Sequence, residues 1–164
     1  MSMPKPLILC HYGNSYYLPY VFNCLKITNP DREVILLGDE TNRWLSEETG
    51  LTHYYFKDLE YGQLLATFEK NYRLIQGKKH VNDKGSGKDW INFVFKRWFY
   101  IQNFIEDQGI DAFWHFDTDT MVLDNLSRHE AKFKNYDCTE QCNGKCMNGF
   151  IAKRKIVTDY VRKI

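Results

Sequence analysis

Short, wholly apolar runs alternate along this chain with longer stretches in which apolar residues return every three or four positions. Pro6 to Cys10 is one such run, reads as a buried strand, and gives way to the turn residues His11-Tyr12-Gly13-Asn14. From Tyr16 to Ile27, Leu18, Val21, Phe22 and Leu25 recur at helical spacing. Ser15 is placed to cap this helix, Pro19 sits in its first turn where proline is tolerated, and Asn29-Pro30-Asp31 stops it. Glu33 to Leu37 predicts a second strand ending at Gly38-Asp39, Asn42 to Glu48 a short helix, Thr52 to Phe56 a third strand and Tyr61 to Leu74 another helix.

Gly77 to Asp89 is polar, basic and rich in glycine, and predicts a loop. The strongest amphipathic pattern follows: Trp90, Phe93, Val94, Trp98, Ile101, Phe104 and Ile105 share one face of a helix from Trp90 to Asp107, which Gly109 ends. An aromatic strand then begins at Phe113. Beyond it the pattern predicts a helix near Ser127 to Phe133, a strand around Asn148 to Ala152 and a helix from Lys153. Strands alternating with helices imply an α/β fold with a mainly parallel central sheet flanked by helices. The last helix runs to Ile164 with no stop signal, so the single domain is expected to be part of a longer chain.

Composition narrows the class. The 164 residues, 43% hydrophobic and 26% charged, suit one globular domain rather than a disordered chain. A net charge of +1 gives no support to nucleic-acid or membrane-surface binding. No apolar stretch reaches the roughly 20 residues of a membrane span. The start at Met1 lacks a signal-peptide core, and the expectation is a soluble, cytoplasmic chain. Five cysteines leave one unpaired, which argues against a disulfide framework. The even spacing of Cys138, Cys142 and Cys146 does not match common zinc pairs, and loop thiols are the expectation.

The candidate chemistry lies in Phe113-Trp114-His115-Phe116-Asp117-Thr118-Asp119-Thr120-Met121-Val122. Unpaired carboxylates are costly away from water, so a buried strand does not keep two of them for packing. Side chains alternate along a strand, so Asp117 and Asp119 would face one hard divalent cation together, with Thr118 turned away. The competing reading is a strand-end turn whose aspartates bond the backbone. In open α/β sheets ligands bind beyond the carboxyl ends of the strands, where Gly13-Asn14, Asp39 and Asp117/Asp119 all fall.

With the helix Arg97-Trp98-Phe99-Tyr100-Ile101-Gln102-Asn103-Phe104-Ile105 before it, this Asp-x-Asp strand resembles the nucleotide-sugar glycosyltransferases of GT-A type. It is especially similar to bacterial and viral enzymes of surface-polysaccharide synthesis, closely over residues 90–126 and loosely elsewhere. The resemblance implies a Rossmann-like nucleotide-binding fold. It implies Mn²⁺ or Mg²⁺ on Asp119 and Asp117, a nucleoside-diphosphate (UDP-type) sugar donor, and a glycan or lipid-linked acceptor. Tyr12, Gly13, Asn14 and Asp39 would meet the nucleoside, Arg97 the donor's sugar or phosphate, and the polar turn Asn148-Gly149 the donor sugar or acceptor. Each has a plainer alternative: a turn for Tyr12 to Asn14, a capping or turn acid for Asp39, a solvated arginine for Arg97. No catalytic base is assigned; Asp137 and Glu140 are the nearest acids after the motif, and either also reads as a surface residue.

Gly85-Ser86-Gly87-Lys88 is not a phosphate loop, since Asn82 stands where glycine is needed and Asp89 where Ser or Thr is needed. Phe116 to Val122 also fits the Asp-x-Asp-x-Thr signature of haloacid-dehalogenase-like phosphatases, with Asp117 as nucleophile. That motif normally opens its domain, whereas here strands and helices precede it. A non-catalytic nucleotide-sugar-binding module is the other alternative.

Overall fold

The computed structural model describes residues 4–72, 87–141 and 146–164. Six strands form one sheet: β1 (Leu7–Cys10), β2 (Val34–Gly38), β3 (Thr52–Tyr55), β4 (Phe113–His115), β5 (Cys138–Gln141) and β6 (Cys146–Ile151). The helices are α1 (Leu18–Thr28), α2 (Trp44–Thr49), α3 (Gln63–Asn71), α4 (Gly87–Asp107), α5 (Ser127–Glu130) and α6 (Arg154–Val161), with 3₁₀ turns at Phe56–Leu59 and Ala131–Phe133. The strand order is β3-β2-β1-β4-β6-β5. The β1–β2, β1–β4 and β2–β3 pairs are parallel, and β4–β6 and β5–β6 are antiparallel. The expected α/β fold with a mainly parallel, helix-flanked sheet is borne out.

Strand periodicity explains why both faces are covered. Ile8, Cys10, Ile35 and Leu37 point to one face and pack with Trp98, Ile101 and Phe104 of α4 and Val157 and Val161 of α6. Leu7, Leu9 and Leu36 point to the other and pack with Leu18, Val21, Phe22 and Leu25 of α1 and Leu45 of α2. Every residue of β1 is buried, which is why its sequence reads as a continuous apolar run rather than an alternation.

Several expectations are corrected. Ser15 does not cap α1: its hydroxyl meets His11, the N-cap is Tyr17, and the Ser15 carbonyl accepts from Leu18 N–H at 3.2 Å. α4 begins at Gly87, inside the segment expected to be a loop, while residues 77–86 of that segment lie outside the described residues. Cys138 and Cys146 are strand residues, not loop thiols, and Cys142 lies outside the described residues. The sequence pattern does not reveal β5, which carries a register shift between Cys138 and Glu140. It is locked to β6 where Thr139 Oγ1 donates to the Asn148 carbonyl at 2.5 Å and accepts from Phe150 N–H at 2.8 Å. Gly149 makes that approach possible: its φ is +98°, and a Cβ there would stand 2.3 Å from Thr139 Oγ1.

Candidate functional site

A cleft of about 1000 Å³ opens at the carboxyl ends of β1, β2, β3 and β4, with α4 forming its facing wall. Cys10, Gly38 and Tyr55, the last residues of three strands, line its floor. Tyr12, Asp39, Arg97, Asp117 and Asp119 also line it, so five of the positions singled out in the sequence meet there. Gly13 N–H touches the cleft only through Asp39, and Asn14 is exposed outside the lining. Asn148 lies buried within β6, not in a polar turn, and is not part of the lining. Asp137 and Glu140 are exposed and outside it too; Asp137 pairs with Lys153 Nζ at 2.5 Å.

The two acids do not sit on a strand. β4 ends at His115, and the Thr120 N–H donates to the Asp117 carbonyl at 3.0 Å, closing a turn over Asp117-Thr118-Asp119-Thr120. Alternation therefore does not aim the carboxylates. Instead Thr118 is buried, Asp119 is exposed, and Asp117 is held by an ion pair with Arg97 Nη1. The Arg97 side chain is only 12% exposed, so the solvated-arginine reading fails. Among the described residues no group of three or more His, Cys, Asp or Glu is placed to hold a metal ion.

Two residues assigned no role at the site from the sequence, His11 and Asn42, organise the rim. His11 Nδ1 and Thr118 Oγ1 share a hydrogen bond of 2.8 Å, and His11 Nε2 meets Ser15 Oγ at 3.2 Å. Asn42 is fully buried, and its amide donates to the carbonyls of His11 at 2.9 Å and Gly13 at 2.8 Å. Its carbonyl oxygen accepts from Asp39 N–H at 3.1 Å and from His53 Nε2 at 2.8 Å. All four bonding positions of the amide are used, so Asn42 clamps the loops after β1 and β2 together. The sequence offered one signal, a run of polar residues directly after each strand; which of them turn inward is invisible without the fold.

Electrostatics follow from this packing. Burial works to raise the Asp39 carboxyl, but bonds from the Thr41 hydroxyl, the Gly13 N–H at 2.6 Å and the Thr41 N–H outweigh it and hold it below the usual range. Burial lowers His11 against the pull of Asp39 and Asp119. Burial also pushes the Cys10 thiol up to about 12, which removes it as a nucleophile at neutral pH. On the α4 wall, Tyr12 lies 6.0 Å from Phe93, Phe93 lies 5.5 Å from Phe56, and Phe56 stacks on Tyr100 at 4.8 Å. The cleft thus has one aromatic wall and one charged wall.

Sheet order and cleft position define a Rossmann-like α/β class of fold. No protein-family model matches the sequence, and no curated protein matches it. Among solved structures the chain is similar to the glycosyltransferase GlyE of Streptococcus pneumoniae TIGR4, with a TM-score of 0.50 and 16% identity. The match covers 99% of this chain and 37% of GlyE, so the chain spans little more than a third of that protein's length. At this identity the likeness is one of fold.

Proposed function

We propose that this chain is the donor-binding part of a metal-dependent GT-A-type glycosyltransferase, which moves a sugar from a nucleoside diphosphate, UDP in particular, to a glycan or lipid-linked acceptor. The observation that carries the reading is the convergence of Tyr12, Asp39, Arg97, Asp117 and Asp119, from four separate segments, on one cleft at the strand ends. The likeness in fold to a glycosyltransferase supports it. A cytoplasmic setting, the expectation from the sequence, belongs to the same proposal. Among the described residues no helix is long and apolar enough to cross a membrane.

The charged wall suits a diphosphate and its cation. Asp117 and Asp119 supply two hard oxygen donors, with no third such protein ligand grouped with them among the described residues, a set suited to Mg²⁺ or Mn²⁺ completed by phosphate oxygens and water. Bound there, such a cation would neutralise the diphosphate as the bond to the sugar breaks. Arg97 adds a fixed positive charge beside the same turn, offering planar donors to phosphate or sugar oxygens. Tyr12, 72% exposed and backed by Phe93, presents a ring face on which a base can stack. Asp39 holds the backbone of the nucleoside loop through Gly13. The phosphatase alternative draws no support from the topology, since β1, β2 and β3 all precede the acid turn.

The test is calorimetric titration of UDP with and without Mn²⁺, on the wild type and on Asp119→Ala. Asp119 is exposed, so the substitution should leave the fold intact. Manganese-dependent binding that the variant loses is the expected result. No binding of UDP, GDP or dTDP under either condition would overturn the reading.

A further inference from the structure

Among the described residues the backbone–backbone hydrogen bond that closes the acid turn, from Thr120 N–H to the Asp117 carbonyl, is internal and does not tie it to the sheet. Among the described residues two side-chain tethers join it to the rest of the cleft. One is the Arg97–Asp117 ion pair, which occupies a carboxylate that a cation would also need. The other is the hydrogen bond between His11 Nδ1 and Thr118 Oγ1, 107 residues apart, which engages the residue between the two acids and takes up neither carboxylate.

His11 is itself fixed from several sides. Its N–H donates to the Leu37 carbonyl at 3.0 Å, its carbonyl accepts from Asn42, and its ring meets Ser15 Oγ and the edge of Tyr17 at 6.1 Å. Through Asn42 the same frame reaches Asp39 and Gly13. A ligand-bearing turn held by an outer hydrogen bond depends on that bond for its aim, and loss of such partners typically weakens metal binding about 10- to 100-fold.

We propose that His11 is a positioning residue that sets the acid turn through Thr118, so that cation binding at Asp117 and Asp119 depends on the His11–Thr118 hydrogen bond. The inference rests on the donor-site reading above. It adds that the cation turn and the nucleoside loop are one hydrogen-bonded frame, joined at His11.

Two titrations test it. Mn²⁺ is titrated calorimetrically into the protein with UDP present, and uridine, which carries no phosphate, is followed by ligand-observed NMR. Thr118→Val, which keeps the shape and removes the hydroxyl, should weaken Mn²⁺ binding about tenfold or more while uridine affinity stays within about twofold. Thr118→Ser should restore the wild-type value, a rescue that simple loss of packing would not show. His11→Phe should match Thr118→Val, and the double variant should be no worse than either alone. If Thr118→Val does not fold, His11→Leu, which has no hydrogen-bonding group, carries the same expectation at a half-buried position. Wild-type Mn²⁺ affinity in the folded variants would overturn the proposal alone, as would equal losses for Mn²⁺ and uridine. A wild type that binds neither Mn²⁺ with UDP nor uridine would overturn the donor-site reading, and this proposal with it.

Discussion

Arg97 of α4 and Asp117 of the acid turn, 20 residues apart, form an ion pair whose arginine is nearly enclosed and whose carboxylate is half open to water. The pair places a permanent cation beside the two acids. It also keeps one of them from standing as an unpaired charge when the cleft is empty.

Arg97→Met should therefore act on binding more than on stability. The Asp117 carboxylate stays hydrated, and Arg97 Nε is buried without a partner, so the loss in stability is held to about 1 kcal/mol. Binding of UDP with Mn²⁺ should fall about tenfold, with Arg97→Lys in between because an ammonium lacks the planar fork. Chemical denaturation and calorimetry on the same samples check both halves.

Tyr12 and Phe56 belong to the same aromatic wall but should respond differently. Tyr12 is 72% exposed and Phe56 6%. Tyr12→Ala should leave the melting temperature unchanged and weaken nucleotide binding about tenfold, the scale of one lost base–ring stack. Phe56→Ala should cost about 3 kcal/mol or more of stability through the cavity it leaves. Paired melting curves and UDP titrations separate the two.

Gly38→Ala tests the clamp beneath the nucleoside loop. A Cβ at position 38 would stand 2.2 Å from Asn42 Oδ1 and 2.8 Å from His53 Nε2, both committed to hydrogen bonds. Relief requires Asn42 to move, which loosens its hold on His11 and Gly13. The expected cost is about 2 kcal/mol, a fall of roughly 6 °C in Tm, with weaker UDP binding alongside.

His115 should make stability fall in mild acid. A carbonyl only accepts, so His115 Nδ1 carries the proton it donates to the Ile8 carbonyl at 2.8 Å, and Nε2 is buried without a partner. Burial, helped by nearby Arg97, pushes its pKa from 6.5 down to about 4. The unfolded chain then binds the extra proton first, so stability is present in full above pH 6.5 and is lost as pH falls towards 4. The slope in that window reaches about 1.4 kcal/mol per pH unit. Denaturant curves at pH 7.5 and 5 on wild type and His115→Phe check it, since the variant should lose this part of the slope.

The sequence by itself determined the layered architecture. Continuous apolar runs at Leu7 to Cys10 and Val34 to Leu37, short and bounded by turn residues, read as strands buried on both faces, and the amphipathic α4 pattern needs a sheet to cover. It also brought Tyr12, Asp39, Asp117 and Asp119 forward, because polar residues directly after buried strands fall at one sheet edge, and Arg97 through the resemblance of its helix. β5 stayed hidden, since its strand character comes from pairing with β6 and from Thr139 lodged against Gly149. Tertiary structure alone decided that Asp117 and Asp119 sit in a turn rather than on a strand, and that Asn148, Asp137 and Glu140 lie away from the cleft. It alone chose His11 and Asn42 as the residues that join the loops. The physical reason is range: periodicity reports which face of its own element a residue occupies, whereas a hydrogen bond such as His11 to Thr118 spans 107 residues and exists only once the sheet has brought β1 and β4 side by side.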